Sequence, residues 1–219
     1  MKVDALLFDF DGVLIESEWA GNQQIAGWLS ANGHPTTTQQ SMDLFMGLSG
    51  ASFVAALERH IGGPLPDAFA AARLEEDERV LREGVAEVAG AAAFVRGLPA
   101  ALPRAIVSSS STSWIEAHLS HLGLRDAFAH IFSGKEHVVR GKPAPDLYLY
   151  AARALGVPIE RCAIIEDSPV GATGAVASGG YVVGLCAGRH CAAGHGERLR
   201  AIGVAAVATS FDEVAALLA

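Results

Sequence analysis

Two aspartates, Asp9 and Asp11, stand two positions apart at the end of an apolar run that starts at Val3 and stops at Asp11-Gly12. In an extended chain residues two apart point to the same side, so both carboxylates would face one way and Phe8 and Phe10 the other. Other apolar runs also end in polar groups. Ser108 follows Ile106-Val107, and Glu166-Asp167 follow Cys162 to Ile165. Lys142, in Gly141-Lys142-Pro143-Ala144-Pro145-Asp146, comes after Ile131-Phe132. Ligands of open α/β sheets bind beyond the carboxyl ends of the strands, so these residues form one inventory. Asp9, Asp11, Glu166 and Asp167 together repel and require a cation, and hard oxygen ligands with phosphate nearby point to Mg²⁺ rather than zinc. Lys142 adds a positive charge, and the Ser108 hydroxyl adds a donor for an anion's oxygen. The set suits phosphoryl transfer, where charge gathers on the phosphoryl oxygens and must be neutralised. One aspartate can attack phosphorus to give an aspartyl-phosphate. The other can protonate the leaving oxygen and later take a proton from water. Alone, Asp-x-Asp-Gly is also an ordinary turn, and the serine run from Ser108 to Ser113 is also a loop that caps a helix. What favours chemistry is that all of them fall at strand ends expected to share one sheet edge.

Placing these residues on one edge requires strands. Val3 to Phe10, Ala105-Ile106-Val107, Cys162 to Ile165, Tyr181 to Leu185 and Val204 to Val207 read as buried parallel strands, apolar on both faces. Ile131-Phe132 is a shorter candidate. Helical patterns lie between them. Trp114, Ile115, His118, Leu119 and Leu122 share helical spacing, and Ser113-x-x-Glu116 predicts a capping box at the start. Leu147 to Leu155 reads as a helix closed by Gly156 and Pro158. Another opens with Ser168 as N-cap and Pro169 in the first helical position, and it ends at Gly179-Gly180. Gly196 to Ile202 and Phe211 to Leu218 suggest two more. Alternating strands and helices predict an α/β fold, a doubly wound, Rossmann-like parallel sheet with right-handed crossovers. From 15 to 84 only helical patterns occur: Ser17 to Ala31, Gln39 to Met46, Ser49 to Ile61 and Asp67 to Glu83. The predicted organisation is a catalytic core of residues 1–14 and 85–219, with a helical cap of residues 15–84 inserted after the first strand. Glu75-Glu76-Asp77-Glu78 reads as a solvated helix face.

Composition narrows the partners. The chain has 219 residues, of which 51% are hydrophobic and 18% charged, which excludes a disordered or collagen-like protein. Sixteen Lys and Arg against twenty-four Asp and Glu give a net charge of −8, so no basic face for nucleic acid is expected. An anionic ligand must be held by local positive groups or a metal. Three cysteines, Cys162, Cys186 and Cys191, do not make a disulfide framework. The N-terminal apolar run is broken by Asp4, Asp9 and Asp11 and is not a signal peptide. Ser168 to Gly188 is long and uncharged but carries Pro169 and six glycines, so it is no membrane span. The expectation is a cytoplasmic protein, monomeric by default.

Asp9-Phe10-Asp11-Gly12-Val13-Leu14 with Ser17-Glu18, then Ile106-Val107-Ser108, Gly141-Lys142-Pro143-x-Pro145-Asp146 and Ile165-Glu166-Asp167-Ser168 resemble, in this order, the haloacid dehalogenase superfamily. The closest likeness is to the branch holding sugar-phosphate phosphatases and β-phosphoglucomutase. The resemblance implies Asp9 as nucleophile, Asp11 as general acid/base, and Ser108 and Lys142 as phosphate binders, with Ser109 beside them. It implies magnesium held by the Asp9 carboxylate, the Asp11 backbone carbonyl and Asp167, with Glu166 beside it. The helical insertion matches a mobile cap that closes over the substrate. Within it, the segment from Leu44 to Gly50 with Gly47 and Ser49 would lie near the leaving group, with Glu16, Glu18 and Asn22 as candidate polar contacts.

Departures from the mutase pattern bear on the reaction. Gly21 stands where the mutase has a hinge histidine, and Gly50 and Met46 stand where it has an arginine and a lysine. Without that arginine a charge-assisted contact to a second phosphate is lost. The reading is therefore a Mg²⁺-dependent phosphatase acting on a small phosphate ester, a sugar or polyol phosphate. The alternatives are a phosphosugar mutase, which would return isomerised substrate, and a phospho-accepting signalling module, which would hold its phosphoryl group for long. Cys186, His190, Cys191 and His195 crowd one segment with donor atoms in no standard zinc spacing. His118 and His121 read as helix-surface residues, and Gly171-x-x-Gly174 as a site of close helix–sheet packing.

Overall fold

A computed structural model describes residues 3–46, 48 and 50–219. Strands β1 (Ala5–Phe8), β2 (Arg104–Ser108), β3 (His130–Ser133), β4 (Cys162–Glu166), β5 (Tyr181–Leu185) and β6 (Ala206–Ala208) form one sheet in the order β3-β2-β1-β4-β5-β6. Every neighbouring pair is parallel. Central β1 and β4 are buried throughout, whereas β3 opens on exposed His130 and β6 is only half-buried. That gradient explains why the central strands are unbroken apolar runs and the edge strands are weak signals. The chain builds outward from β1 to β3, then returns to β4 on the other flank of β1. Such a reversal opens a crevice at the carboxyl ends of the two strands on either side of it. Register puts functional residues there. Phe8 pairs with both Ile106 and Ile165, so Asp9 leaves β1 level with Glu166, and the Asp9 amide donates to the Ile165 carbonyl at 2.9 Å.

Alternation along the strands divides the core. Leu7, Val107, Ile164 and Val182 pack with Leu147, Tyr148, Ala151 and Ala175 from α7 (Asp146–Ala154) and α8 (Pro169–Ser178). Phe8 faces the other way, edge-on to Phe94 of α5 (Ala91–Gly97) at 6.2 Å and to Phe128 at 5.6 Å. Phe94 in turn meets Phe211 of α10 (Phe211–Leu218) at 5.1 Å. Helix α5 was not foreseen: its alanine-rich stretch has no distinctive periodicity. Helix α8 begins as its sequence specifies, with the Ser168 hydroxyl accepting from the Gly171 amide at 3.0 Å and Gly179 closing it in the left-handed region.

Helix α6 (Thr112–His121) corrects two expectations. Its cap is Ser111, whose hydroxyl accepts from the Trp114 amide at 3.3 Å, not Ser113. The Thr112 amide and hydroxyl both donate to Glu136, at 2.8 and 2.7 Å, which sets the helix start earlier than local spacing suggests. Glu116 pairs instead with Arg125 at 2.8 Å. His118 is not on the surface. It is fully buried, edge-on to Trp114 at 4.1 Å, because it lies within the same apolar stripe as Ile115 and Leu119.

The chain divides into two units, residues 1–16 with 86–219, and residues 17–85. The second unit holds α1 (Ser17–Ala31), α2 (Thr38–Phe45), α3 (Gly50–Ile61) and α4 (Asp67–Glu83) around Ile25, Leu29, Phe45, Leu57 and Phe69. Trp28 meets Phe69 edge-on at 4.9 Å. Asn22 is buried between α1 and α2, accepting from the Ser41 hydroxyl at 2.9 Å and donating to the Glu18 carbonyl at 2.8 Å. Its side chain is a structural tie within this unit. No helix among the described residues is long and apolar enough to cross a membrane.

His118 yields a pH prediction. Neither ring nitrogen has a hydrogen-bond partner among the described residues, and burial pushes the imidazole below its ordinary range. The unfolded chain takes up this proton near pH 6.5 (about the model-peptide value) and the folded chain only lower, so stability is intact above that pH and falls as pH drops. His118→Phe keeps a ring against Trp114 and removes the titration. Its loss of melting temperature between about pH 7.5 and about pH 5.5 is expected to be smaller than wild type's. Equal losses would contradict this assignment.

Candidate active site

Residues from four chain segments meet at the carboxyl edge of the sheet. Lys142, from the loop after β3, places Nζ 2.7 Å from Asp9 Oδ1 and 2.5 Å from Glu166 Oε1, with only 3% of its side chain exposed. The Tyr148 hydroxyl donates to Glu166 Oε1 at 2.8 Å, and its ring centre lies 5.2 Å from Nζ. Glu166 Oε2 accepts from the Ser168 amide and hydroxyl at 3.1 and 3.2 Å. Glu166 therefore ties three things together: the lysine, α7 through Tyr148, and the start of α8. Burial opposes a charge on Lys142, but Asp9 and Glu166 outweigh it and hold the ammonium well above the usual lysine range. Burial, then the Glu166 carboxylate, push Asp9 well above the usual carboxylate range, against the pull of Lys142. Tyr148 is raised as well, by burial first and Glu166 second.

Asp11 is held by the segment that leaves β2. Its Oδ2 accepts from the Ser110 hydroxyl at 2.6 Å and from the Ser108 hydroxyl at 3.5 Å, and its Oδ1 accepts from the Trp114 indole at 3.2 Å. Asp167 is braced by the segment after β5. His190 Nε2 lies 2.8 Å from Asp167 Oδ2, and His195 at the start of α9 (His195–Ile202) donates from Nε2 to the Asp167 carbonyl at 2.6 Å. Arg198 donates to His195 Nδ1 at 3.2 Å, which fixes that tautomer, and burial lowers the His195 pKa. Gly12 has φ +77°, and a Cβ there would overlap the Asp167 carboxylate and come within 2.9 Å of the His190 ring.

Asp9, Glu166 and Asp167 are all buried, with carboxylate oxygens within 4.8 Å of one another. Among these acids and Lys142, carboxylates outnumber the ammonium by two. An excess of buried negative charge held by oxygen donors fits a hard divalent cation such as Mg²⁺. His190, Cys191 and His195 also bring donor atoms within 4.8 Å. Both imidazoles already engage Asp167 through Nε2, so the donor-rich segment noted in the sequence serves as a brace behind a carboxylate.

The structure thus brings together Asp9, Asp11, Ser108, Lys142, Glu166 and Asp167. Ser109 is exposed just beyond β2. Glu16 is occupied, both its oxygens accepting from the Arg189 amide at 3.2 and 3.0 Å. Glu18 is exposed on the first turn of α1, and Gly47 and Ser49 lie outside the described residues. Gly171 and Gly174 do permit close approach, though to the Glu166 side chain and to the loop after Lys142. A Cβ on Gly171 would overlap the Glu166 carboxylate, and one on Gly174 would sit 2.8 Å from the Ala144 carbonyl. Sequence reasoning missed Tyr148, Ser110 and Trp114. The two aromatics sit at helical spacing among apolar residues and read as core, and nothing distinguishes Ser110 within its serine run.

Comparisons with known proteins agree with this geometry. Residues 3–179 match the hydrolase family described as haloacid dehalogenase-like hydrolase. Hexitol phosphatase A of Escherichia coli is 32% identical over 188 residues, covering 84% of each chain. Fructose-1-phosphate phosphatase YqaB of the same organism is 29% identical over 178 residues, covering 80% of this chain and 92% of that one. Among solved structures, a hydrolase from Deinococcus radiodurans with bound phosphate and sodium superposes with a TM-score of 0.89 at 34% identity. It covers 99% of this chain and 95% of its own.

The glycine contacts supply a test of the packing. Gly171→Ala forces a methyl group into the buried Glu166 carboxylate, and overpacking of this kind costs about 1–3 kcal/mol. Urea unfolding should show that loss. A variant as stable as wild type would mean that α8 does not press on Glu166.

Proposed function

Because this chain belongs to the haloacid dehalogenase-like hydrolases, we propose that it hydrolyses a small sugar or polyol phosphate through an aspartyl-phosphate formed on Asp9. The observation that carries this reading is the Lys142 ammonium lodged between Asp9 and Glu166 at 2.7 and 2.5 Å. Lys142 engages Asp9 through Oδ1, so Oδ2 is the attacking oxygen. That oxygen forms a bond to phosphorus, the bond from phosphorus to the alcohol oxygen breaks, and its electron pair stays on the alcohol, which takes a proton from Asp11. In the second step water attacks the same phosphorus, Asp11 takes a water proton, and Asp9 leaves as a carboxylate with release of inorganic phosphate. Ser108, Ser109 and Lys142 bind the phosphoryl oxygens. Asp9, the Asp11 carbonyl and Asp167 would hold Mg²⁺, with Glu166 beside it, and the ion supplies positive charge to those oxygens. His190 and His195 keep Asp167 turned toward that position.

The names of the hexitol and fructose-1-phosphate phosphatases support a sugar or polyol ester, and the phosphate bound by the Deinococcus radiodurans hydrolase supports a phosphoryl site. Net hydrolysis is favoured over isomerisation because Met46 and Gly50 provide no cation for a second phosphate.

Phosphate release over a panel of sugar, polyol and nucleotide phosphates tests the reading. Turnover is expected on hexitol and hexose phosphates, abolished by chelator and restored by Mg²⁺. Asp9→Asn should lower turnover about a thousandfold or more, as loss of a nucleophile does. Lys142→Ala leaves Asp9 and Glu166 buried without their cation and should fall about a hundredfold or more. Full activity in Asp9→Asn, undiminished release in chelator, or isomerised sugar phosphate in place of free phosphate would overturn it.

A further inference from the structure

The two oxygens of Asp11 have donors of different kinds. Oδ2 faces the hydroxyls of Ser110 and Ser108 at 2.6 and 3.5 Å, and Oδ1 faces the indole N–H of Trp114 at 3.2 Å. A serine hydroxyl rotates and can donate or accept, whereas an indole nitrogen only donates. A proton on Oδ2 is therefore compatible with its serine neighbours, while one on Oδ1 would weaken the single hydrogen bond that the indole N–H can donate. The indole is itself fixed. Trp114 sits in the first turn of α6, its amide donates to the capping Ser111, and its ring packs edge-on against buried His118 at 4.1 Å.

We infer that Trp114 is a positioning residue that decides which oxygen of Asp11 carries the transferred proton, namely Oδ2 on the serine side. This rests on the reading of Asp11 as the general acid/base. In the first step the bond from phosphorus to the alcohol oxygen breaks, and the proton passes from Asp11 Oδ2 to that oxygen. Asp11 is left as a carboxylate whose Oδ1 still accepts from Trp114. In the second step the same Oδ2 receives the proton of the attacking water. The carboxyl plane stays put throughout, so Oδ2 serves as donor and then as acceptor without rotation. All three donors to Asp11, namely Ser108, Ser110 and Trp114, lie on the one stretch from the end of β2 into the first turn of α6, so the segment that binds the phosphoryl group also aims the acid.

The test compares leaving groups, because an alkoxide needs a proton to depart and a nitrophenolate does not. Trp114→Phe keeps the ring against His118 and removes only the N–H. For this variant, kcat/KM on a hexitol phosphate should fall about tenfold, while kcat/KM on p-nitrophenyl phosphate stays within about twofold of wild type. Equal losses on the two esters, or no loss on the hexitol ester, would overturn the proposal. Asp11→Asn separates the underlying reading: it should penalise the hexitol ester far more than the aryl ester. Equal penalties there would remove Asp11 as the acid, and the role of Trp114 with it. A readout free of turnover uses the indole ¹H–¹⁵N signals of the three tryptophans, with Trp114 assigned as the one that survives in both Trp19→Phe and Trp28→Phe. Asp11→Ala should move the Trp114 signal upfield as its acceptor is lost and leave Trp19 and Trp28 in place. An unmoved Trp114 signal would overturn the proposal even if Trp114→Phe does not fold.

Discussion

Lys142 Nζ, buried between the carboxylates of Asp9 and Glu166, is the contact on which the arrangement turns. A lone ammonium or a lone carboxylate at that depth would cost several kcal/mol of lost hydration, and only mutual pairing with further hydrogen bonds offsets it. Glu166 supplies those bonds in number. Its remaining partners are the Tyr148 hydroxyl and the amide and hydroxyl of Ser168. The lysine is thereby anchored at its carboxylate end by two helices and aimed at Asp9 by its other contact. Asp9 is consequently held beside positive charge, with its Oδ1 engaged by the lysine.

That geometry descends from the sheet. Adjacent β1 and β4, paired with Phe8 level with Ile165, bring Asp9 and Glu166 side by side, and β2 on the opposite flank contributes Ser108. The crevice between β1 and β4 is narrow enough that side chains are excluded at specific points. Gly12, in the left-handed region at φ +77°, lies against Asp167, and Gly171 lies against Glu166. A separate brace, His190 and His195, controls Asp167 from the side and from behind its own carbonyl. Acids that would repel one another in water are fixed here by several independent polar contacts, leaving a surplus of negative charge that suits a divalent cation.

Much of this was legible in the chain. Central strands announce themselves as runs without polar interruption, and the residue that ends each run lies where ligands of such sheets bind. The Ser168-Pro169 start and Gly179 end of α8 were equally plain, because each has a local backbone reason. What stayed hidden depends on partners distant in sequence. Tyr148 and Trp114 have helical spacing indistinguishable from core aromatics, and only the fold shows that their polar atoms reach Glu166 and Asp11. The cap of α6 moved to Ser111 because Glu136, more than twenty residues away, seizes Thr112. His118 lies in the apolar stripe that its own helix presents, and a histidine there carries no mark of which side it takes. The segment from Cys186 to His195 showed its donor atoms but not their target, since Asp167 precedes it by a strand and a helix.

Acceptance of the phosphoryl group by Asp9 itself separates a covalent route from direct attack of water on the ester. Mixing the Mg²⁺-loaded enzyme with a hexitol phosphate, quenching in acid within the first turnover and sequencing the peptides by mass spectrometry reads that directly. A phosphoryl group on the peptide spanning Asp9, placed on Asp9 by fragmentation and lost once the substrate is exhausted, is the expected result. A phosphoryl group on another residue, or product formation with no phosphorylated peptide at any quench time, would contradict it.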